Sequence, residues 1–202
     1  MNWLQNGVQK WRRLRALAGL RDPQFAFLWD QPPAGEYVSL DCEMSCLDPK
    51  LAEIISIAAI LIKDQRILLS ETWTVLVKPA GQINPASIPV HGLRHQDVQD
   101  GLALADALAQ LLYFIGPRPI VGYYLEFDLA VINRSLKLGV ALPNQAIDIS
   151  GLFYDRMVSA HRPEVDLSLS HILHSLDIPD LPRHNPVNDA LLAAMAFLKL
   201  RA

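Results

Sequence analysis

The chain has 202 residues, of which 51% are hydrophobic and 19% charged, enough apolar material for one core of ordinary size and far too much for a disordered chain. The formal charge of −3 divides unevenly: Lys10, Arg12, Arg13, Arg15 and Arg21 precede any acidic residue, leaving 13 basic against 21 acidic residues in the remainder, the opposite of a duplex-coating protein that binds by counterion release, so any nucleic-acid contact is local or metal-mediated. Cys42 and Cys46 are too few for a disulfide framework, and the absence of an apolar run of roughly 18 residues, with arginines where a leader would need apolar residues, makes a cytoplasmic protein the expectation.

In residues 3–20, Leu4, Val8, Trp11 and Leu14 recur at three- and four-residue steps with arginines between them, which predicts a short amphipathic helix. Pro32-Pro33 breaks the chain, so residues 1–35 are set apart as a basic amphipathic N-terminal extension from a domain over 36–202. The extension is free to pack its apolar stripe on the body, to dock a partner protein or to add phosphate contacts, and its stripe is short for membrane-surface attachment.

Strands are predicted over 37–40, 54–62 and 67–77, and the short 63–66 connection makes the last two an antiparallel hairpin. After a proline-rich loop at 84–89 the pattern turns helical over 102–115, returns to strand over 119–123, and is helical again over 126–138. A fifth short strand at 146–148 precedes helical stretches at 151–159, 167–176 and 186–200. Three strands followed by alternating helices and strands predict an α/β mixed sheet with helices packed against it.

Asp41-Cys42-Glu43 ends the first strand, and side chains two apart on a strand share a face, so two carboxylates converge. Close unpaired carboxylates repel, and in a buried position they call for a cation; hard oxygen donors suit Mg²⁺ or Mn²⁺. Solvation at a strand end is the alternative. Asp128 lies in the first turn of a helix that follows a strand, and Asp189 opens the last helix, five residues after His184. Each taken alone also reads as an ordinary first-turn acid favoured by the helix dipole.

The order Asp41, Glu43, Asp128, His184, Asp189 resembles the DEDD superfamily of 3′→5′ exonucleases in its histidine-containing branch, which includes proofreading exonuclease subunits of bacterial DNA polymerases, RNase T and oligoribonuclease. The resemblance runs over about 36–200 and extends to Leu47-Asp48-Pro49, to the segment from Ile88 through His91 to Leu93, to Phe127 and to Arg183-His184-Asn185. It implies an RNase H-like fold with a mixed five-stranded sheet whose strands 1–3 are antiparallel. It further implies two divalent cations, Mg²⁺ or Mn²⁺, held by Asp41, Glu43, Asp128 and Asp189, with His184 as general base. Met44, Ser45, Leu47 and His91 would cradle the terminal nucleotide.

The implied activity is hydrolysis of phosphodiester bonds at single-stranded 3′ ends of DNA or RNA, releasing nucleoside 5′-monophosphates. A non-catalytic nucleic-acid-binding or adaptor domain of the same fold is the alternative. Two departures stand out: Met44 replaces the threonine common after the acidic pair, and Tyr123-Tyr124 replaces a His-Asn pair. Tyr124 is a candidate to stack on a base or to fill core volume.

Overall fold

The computed structural model describes residues 13–160 and 164–201. The expected amphipathic stripe at Leu4, Val8 and Trp11, together with Lys10 and Arg12, lies outside the described residues; 13–19 are helical (α1). A 3-10 turn, Pro23–Trp29, follows. The sheet comprises β1 (Glu36–Met44), β2 (Ile54–Lys63), β3 (Arg66–Leu76), β4 (Ile120–Gly122) and β5 (Ala146–Asp148), in the order β3-β2-β1-β4-β5. β1 to β3 are antiparallel neighbours, whereas β4 and β5 join in parallel. This is the expected mixed five-stranded sheet.

The β2–β3 connection turns on Asp64 and Gln65, both left-handed at φ 48° and 61°, the backbone of a two-residue turn whose twist matches the flanking strands. The helices are α2 (Ile88–His91), α3 (His95–Val98), α4 (Leu104–Ile115), α5 (Leu125–Ser135), α6 (Ile149–Ser159), α7 (Leu169–Ser175) and α8 (Pro186–Arg201). The single turns α2 and α3 fall in and just after the segment predicted as a proline-rich loop; Pro89 sits at the second position of α2, where its missing N–H has no intrahelical partner to lose.

β1 is longer than its apolar core predicts because it is central, with β2 on one edge and β4 on the other. Its two faces serve different layers. Val38, Leu40, Cys42 and Met44 join a core with α4, α5 and the 3-10 turn. The odd positions face α8: Tyr37 packs edge-on against Phe197 with ring centroids 4.8 Å apart, and the buried Ser39 hydroxyl donates to the Ala190 carbonyl at 2.7 Å. Ala190, Ala193, Ala194 and Ala196 are fully buried on α8, and their small side chains let the helix approach the sheet closely. The same alternation continues to Asp41 and Glu43.

Two tight approaches set the ends of the elements. A Cβ on Gly122 would lie 2.8 Å from Leu125 Cδ1 and 3.0 Å from the Leu40 carbonyl, so glycine lets β4 turn directly into α5. Left-handed Gly139 (φ 82°) lies where a Cβ would meet the Gly19 carbonyl at 2.6 Å, and Arg21 N–H donates to the Leu138 carbonyl at 2.8 Å.

Packing crosses the boundary expected at residue 35. Phe25 and Leu28 are buried in the same core cluster as Val38 and Leu111, while Asp22 caps the 3-10 turn by accepting from Gln24 N–H. The 3-10 turn of the extension therefore packs against the main core through Phe25 and Leu28. Leu28→Ala is expected to lower unfolding free energy by about 2–4 kcal/mol, read from urea midpoints followed by circular dichroism; a loss below about 0.5 kcal/mol, the surface range, would mean that the turn is not docked.

Candidate active site

Asp41 and Glu43 project from β1 toward the first turn of α8, where the buried Asp189 meets them. One carboxylate oxygen from each of Asp41, Glu43 and Asp189 lies within 4.8 Å of the others. Asp128 is buried in the first turn of α5, and it lines the same cavity of about 470 Å³. The α5 N-terminus is held by Asp148 at the end of β5: one carboxylate oxygen accepts from Leu125 N–H at 2.8 Å, and the other from Ser150 N–H at 2.8 Å, so a single side chain anchors α5 and α6.

Burial dominates the electrostatics. Burial, and then the charges of Asp128, Asp189 and Glu43, hold Asp41 well above the usual carboxylate range, with the Arg183 charge opposing them. Burial and then Asp189 push Glu43 up to about 7. Burial and then Glu43 push Asp128 up to about 7, against the hydrogen bonds it accepts from the Cys42 thiol and backbone N–H. Asp41, Glu43 and Asp128, which resist ionisation around one cavity, would ionise more readily beside positive charge, and an all-oxygen donor set fits a hard divalent cation. Cys42 adds no thiolate, since burial and the neighbouring acids keep its thiol protonated.

Around this floor the wall has three parts. Met44 and Leu47 form one, and Leu47 is 83% exposed at the rim. The second is the loop bearing Asn84, Ser87 and His91. The third is Tyr123, Tyr124 and Phe127. Tyr124 is left-handed at φ 49° and 56% exposed, with its ring 4.5 Å from that of Tyr123. The Tyr123 hydroxyl donates to the Leu167 carbonyl at 3.0 Å, and burial pushes its phenol up to about 12. Tyr123 is thus a fixed support under an exposed ring.

Two of the expected nucleotide contacts are occupied within the protein. Ser45 is buried and does not line the cavity: its hydroxyl accepts from Glu53 N–H at 2.9 Å, and its carbonyl accepts from the Ser87 hydroxyl at 3.0 Å. His91 lines the cavity, but Nδ1 accepts from Leu93 N–H at 3.1 Å and Nε2 lies 3.1 Å from the Ser87 hydroxyl. These bonds make it a neutral imidazole that donates to Ser87, consistent with burial and the nearby His184 lowering its pKa. Ser45 and His91 therefore tie the 84–93 loop to the end of β1. Among the described residues, Leu47 and Tyr124 are the expected contacts with exposed surface at the cavity, and the buried Met44 lines it.

His184 is exposed on the cavity rim, left-handed at φ 60°, and its backbone N–H donates to Asp189 at 2.7 Å. Arg183 pairs with the other oxygen of Asp189 through Nε at 2.7 Å. Neither this ion pair nor the Cys42–Asp128 contact is apparent from residue spacing. Arg183 carries the one legible signal, as a cation next to the motif histidine.

An acid whose folded pKa exceeds its unfolded value binds more protons when folded, so the stability it contributes is present below the unfolded value and lost as pH rises through the folded one. In EDTA the melting temperature is thus expected to fall as pH rises from the ordinary carboxylate range through about 7, the value for Glu43 and Asp128. Calorimetric scans should show the fall reduced in Glu43→Gln and suppressed by Mn²⁺. A rise over that window would contradict the charge assignment.

The chain matches the model of the RNase T family, described as exonuclease, over residues 38–197. Its curated relatives include a DNA polymerase III subunit epsilon-like protein of Rhodobacter capsulatus, 31% identical over 166 residues, which is 81% of this chain and 23% of that protein. Another is a PolC-type DNA polymerase III of Thermotoga petrophila, 26% identical over 163 residues, 81% of this chain and 12% of that protein. The chain therefore spans less than a quarter of the length of either relative. Escherichia coli exonuclease I, solved with a dA16 oligonucleotide, shares the fold at a TM-score of 0.68 and 21% identity, covering 82% of this chain and 40% of that one. No described helix is long and apolar enough to cross a membrane. With the acidic cluster on β1 and α8 inside the matched span, this chain belongs to the RNase T family of exonucleases.

Proposed function

We propose that the chain is a metal-dependent 3′→5′ exonuclease that removes nucleoside 5′-monophosphates from single-stranded ends. The observation that carries the reading is the convergence of Asp41, Glu43 and Asp189 within 4.8 Å on the floor of a cavity that Asp128 and His184 also line. Asp41, Glu43, Asp128 and Asp189 would hold two divalent cations, Mg²⁺ or Mn²⁺, whose charge would neutralise the four acids and favour both the attacking and the leaving oxygen of an in-line displacement.

The chain's own residues divide the remaining work. Tyr124, backed by Tyr123, offers a stacking face, a contact worth about 1–3 kcal/mol per base, and Leu47, with the buried Met44, offers apolar surface in the same cavity. His184 takes the proton of the attacking water, an imidazole being suited to that exchange near neutrality. Water adds to phosphorus, the bond to the 3′ oxygen of the preceding nucleotide breaks, and that oxygen leaves as a new 3′ hydroxyl once protonated. The single-stranded substrate is supported by the oligonucleotide held by exonuclease I. A protein partner would be met through residues 1–35, and the polymerase III identity of the relatives supports association with such a partner without bearing on the segment that meets it.

A 5′-labelled single strand given Mn²⁺ should shorten in single-nucleotide steps, and EDTA should stop it. Asp41→Asn or Glu43→Gln should abolish turnover while keeping the circular dichroism spectrum and equal or greater metal-free stability, because a repelling charge is removed. Near-full activity in either variant would overturn the assignment. His184→Ala is expected to lower kcat about 10²–10⁴-fold and flatten its rise with pH near neutrality, while calorimetric Mn²⁺ binding stays level. Unchanged kcat and pH profile would remove His184 from the reaction.

A further inference from the structure

We infer that Arg183 is the internal counter-ion of the metal-free site, a competitor that a cation must displace from Asp189 and whose release frees the segment carrying His184. The inference rests on the metal-dependent reading above and adds a residue that the reading does not use.

Both oxygens of Asp189 are engaged by neighbours in sequence: Oδ1 accepts from Arg183 Nε at 2.7 Å and Oδ2 from His184 N–H at 2.7 Å. Asp189 is also one of the three acids whose oxygens cluster within 4.8 Å. Among the described residues, Arg183 is the single lysine or arginine that lines the cavity, so in the absence of a cation it is the fixed positive charge of that described lining. The wrapping comes at a conformational cost, since His184 must adopt φ 60° to aim its N–H at Asp189. It is braced on the far side by Asn188, whose side-chain N–H donates to the Pro182 carbonyl at 2.9 Å. In this arrangement the His184 side chain is exposed. A cation that recruits an Asp189 oxygen takes away an acceptor that holds the segment, which frees the guanidinium to face an anionic substrate and relaxes the strained backbone beside His184.

The test is calorimetric Mn²⁺ binding and melting temperature, without substrate, for wild type, Arg183→Gln and Arg183→Lys. Arg183→Gln should bind Mn²⁺ about tenfold or more tightly, the scale of one lost charge-assisted competitor, and should melt lower than wild type in EDTA but level with it at saturating Mn²⁺. Arg183→Lys, which keeps the charge without the planar fork, should fall between the two and serves as the readout if the glutamine variant does not fold. A merely structural arginine predicts the opposite sign, weaker Mn²⁺ binding with lower stability in both states. Weaker or equal affinity in the variants overturns the inference and leaves the metal-dependent reading intact, whereas absence of Mn²⁺ binding in all three proteins overturns both.

Discussion

Like charges brought together in a buried place must be held there by packing, and in this chain the contact between β1 and α8 does the holding. Asp41 and Glu43 share the face of β1 that α8 covers, and the same face is zipped further along by the Ser39 bond to the Ala190 carbonyl and by Tyr37 against Phe197. The alanine-lined side of α8 permits the approach. Apolar burial along the length of the helix thus offsets the repulsion concentrated at its first turn. Asp41 and Glu43 are displaced from their ordinary ionisation first by burial and then by neighbouring acids from which packing does not let them move apart.

The other parts of the site are tied to that contact by bonds that leave little independent freedom. Asp148 anchors α5 and α6 together, so Asp128 is positioned by β5 as well as by its own helix. Ser45, immediately after the acidic strand, fastens both the 84–93 loop and the segment returning to β2. Arg134, two turns along α5 from Asp128, donates to the carbonyls of Pro49 and Ala52 and so holds the chain behind Leu47. The floor and walls are consequently one hydrogen-bonded body, and the segment around His184 is joined to it chiefly through Asp189.

How much of this was legible in the sequence depended on whether a residue's partner is a matter of periodicity or of tertiary structure. The strand alternation placed Asp41 and Glu43 on one face because the period of a strand is 2. The order of elements gave the mixed sheet, and the motif order gave the full set of acids. Ser45 and His91 were expected to face a nucleotide, whereas their hydrogen-bonding groups meet Glu53, Leu93 and Ser87; a serine or histidine in a motif carries no mark saying whether its partner is a ligand or a neighbouring loop. Arg183 and Cys42 acquire their contacts only once α8 and α5 dock. Pro32-Pro33 marks a break in the chain, and Phe25 and Leu28 lie before it yet pack into the core.

The distribution of charge also constrains how such a cavity holds a polyanion. Apart from Arg183, the described lining offers no lysine or arginine, and in the metal-free site Arg183 is paired with Asp189. Besides the uncharged Asn84 and the His184 imidazole, its most exposed lining residues are apolar or aromatic, among them Leu47 and Tyr124. On the function proposed above, attraction for a strand end would come from stacking, from the charge of the cations and from the one guanidinium they release rather than from a basic groove. Counterion release scales with the number of phosphates that lysine and arginine neutralise, so this site has little of the salt-sensitive, sequence-blind grip of a basic channel. On the proposed function it would engage one terminal nucleotide closely, with any longer-range hold on the strand supplied by surfaces outside the cavity.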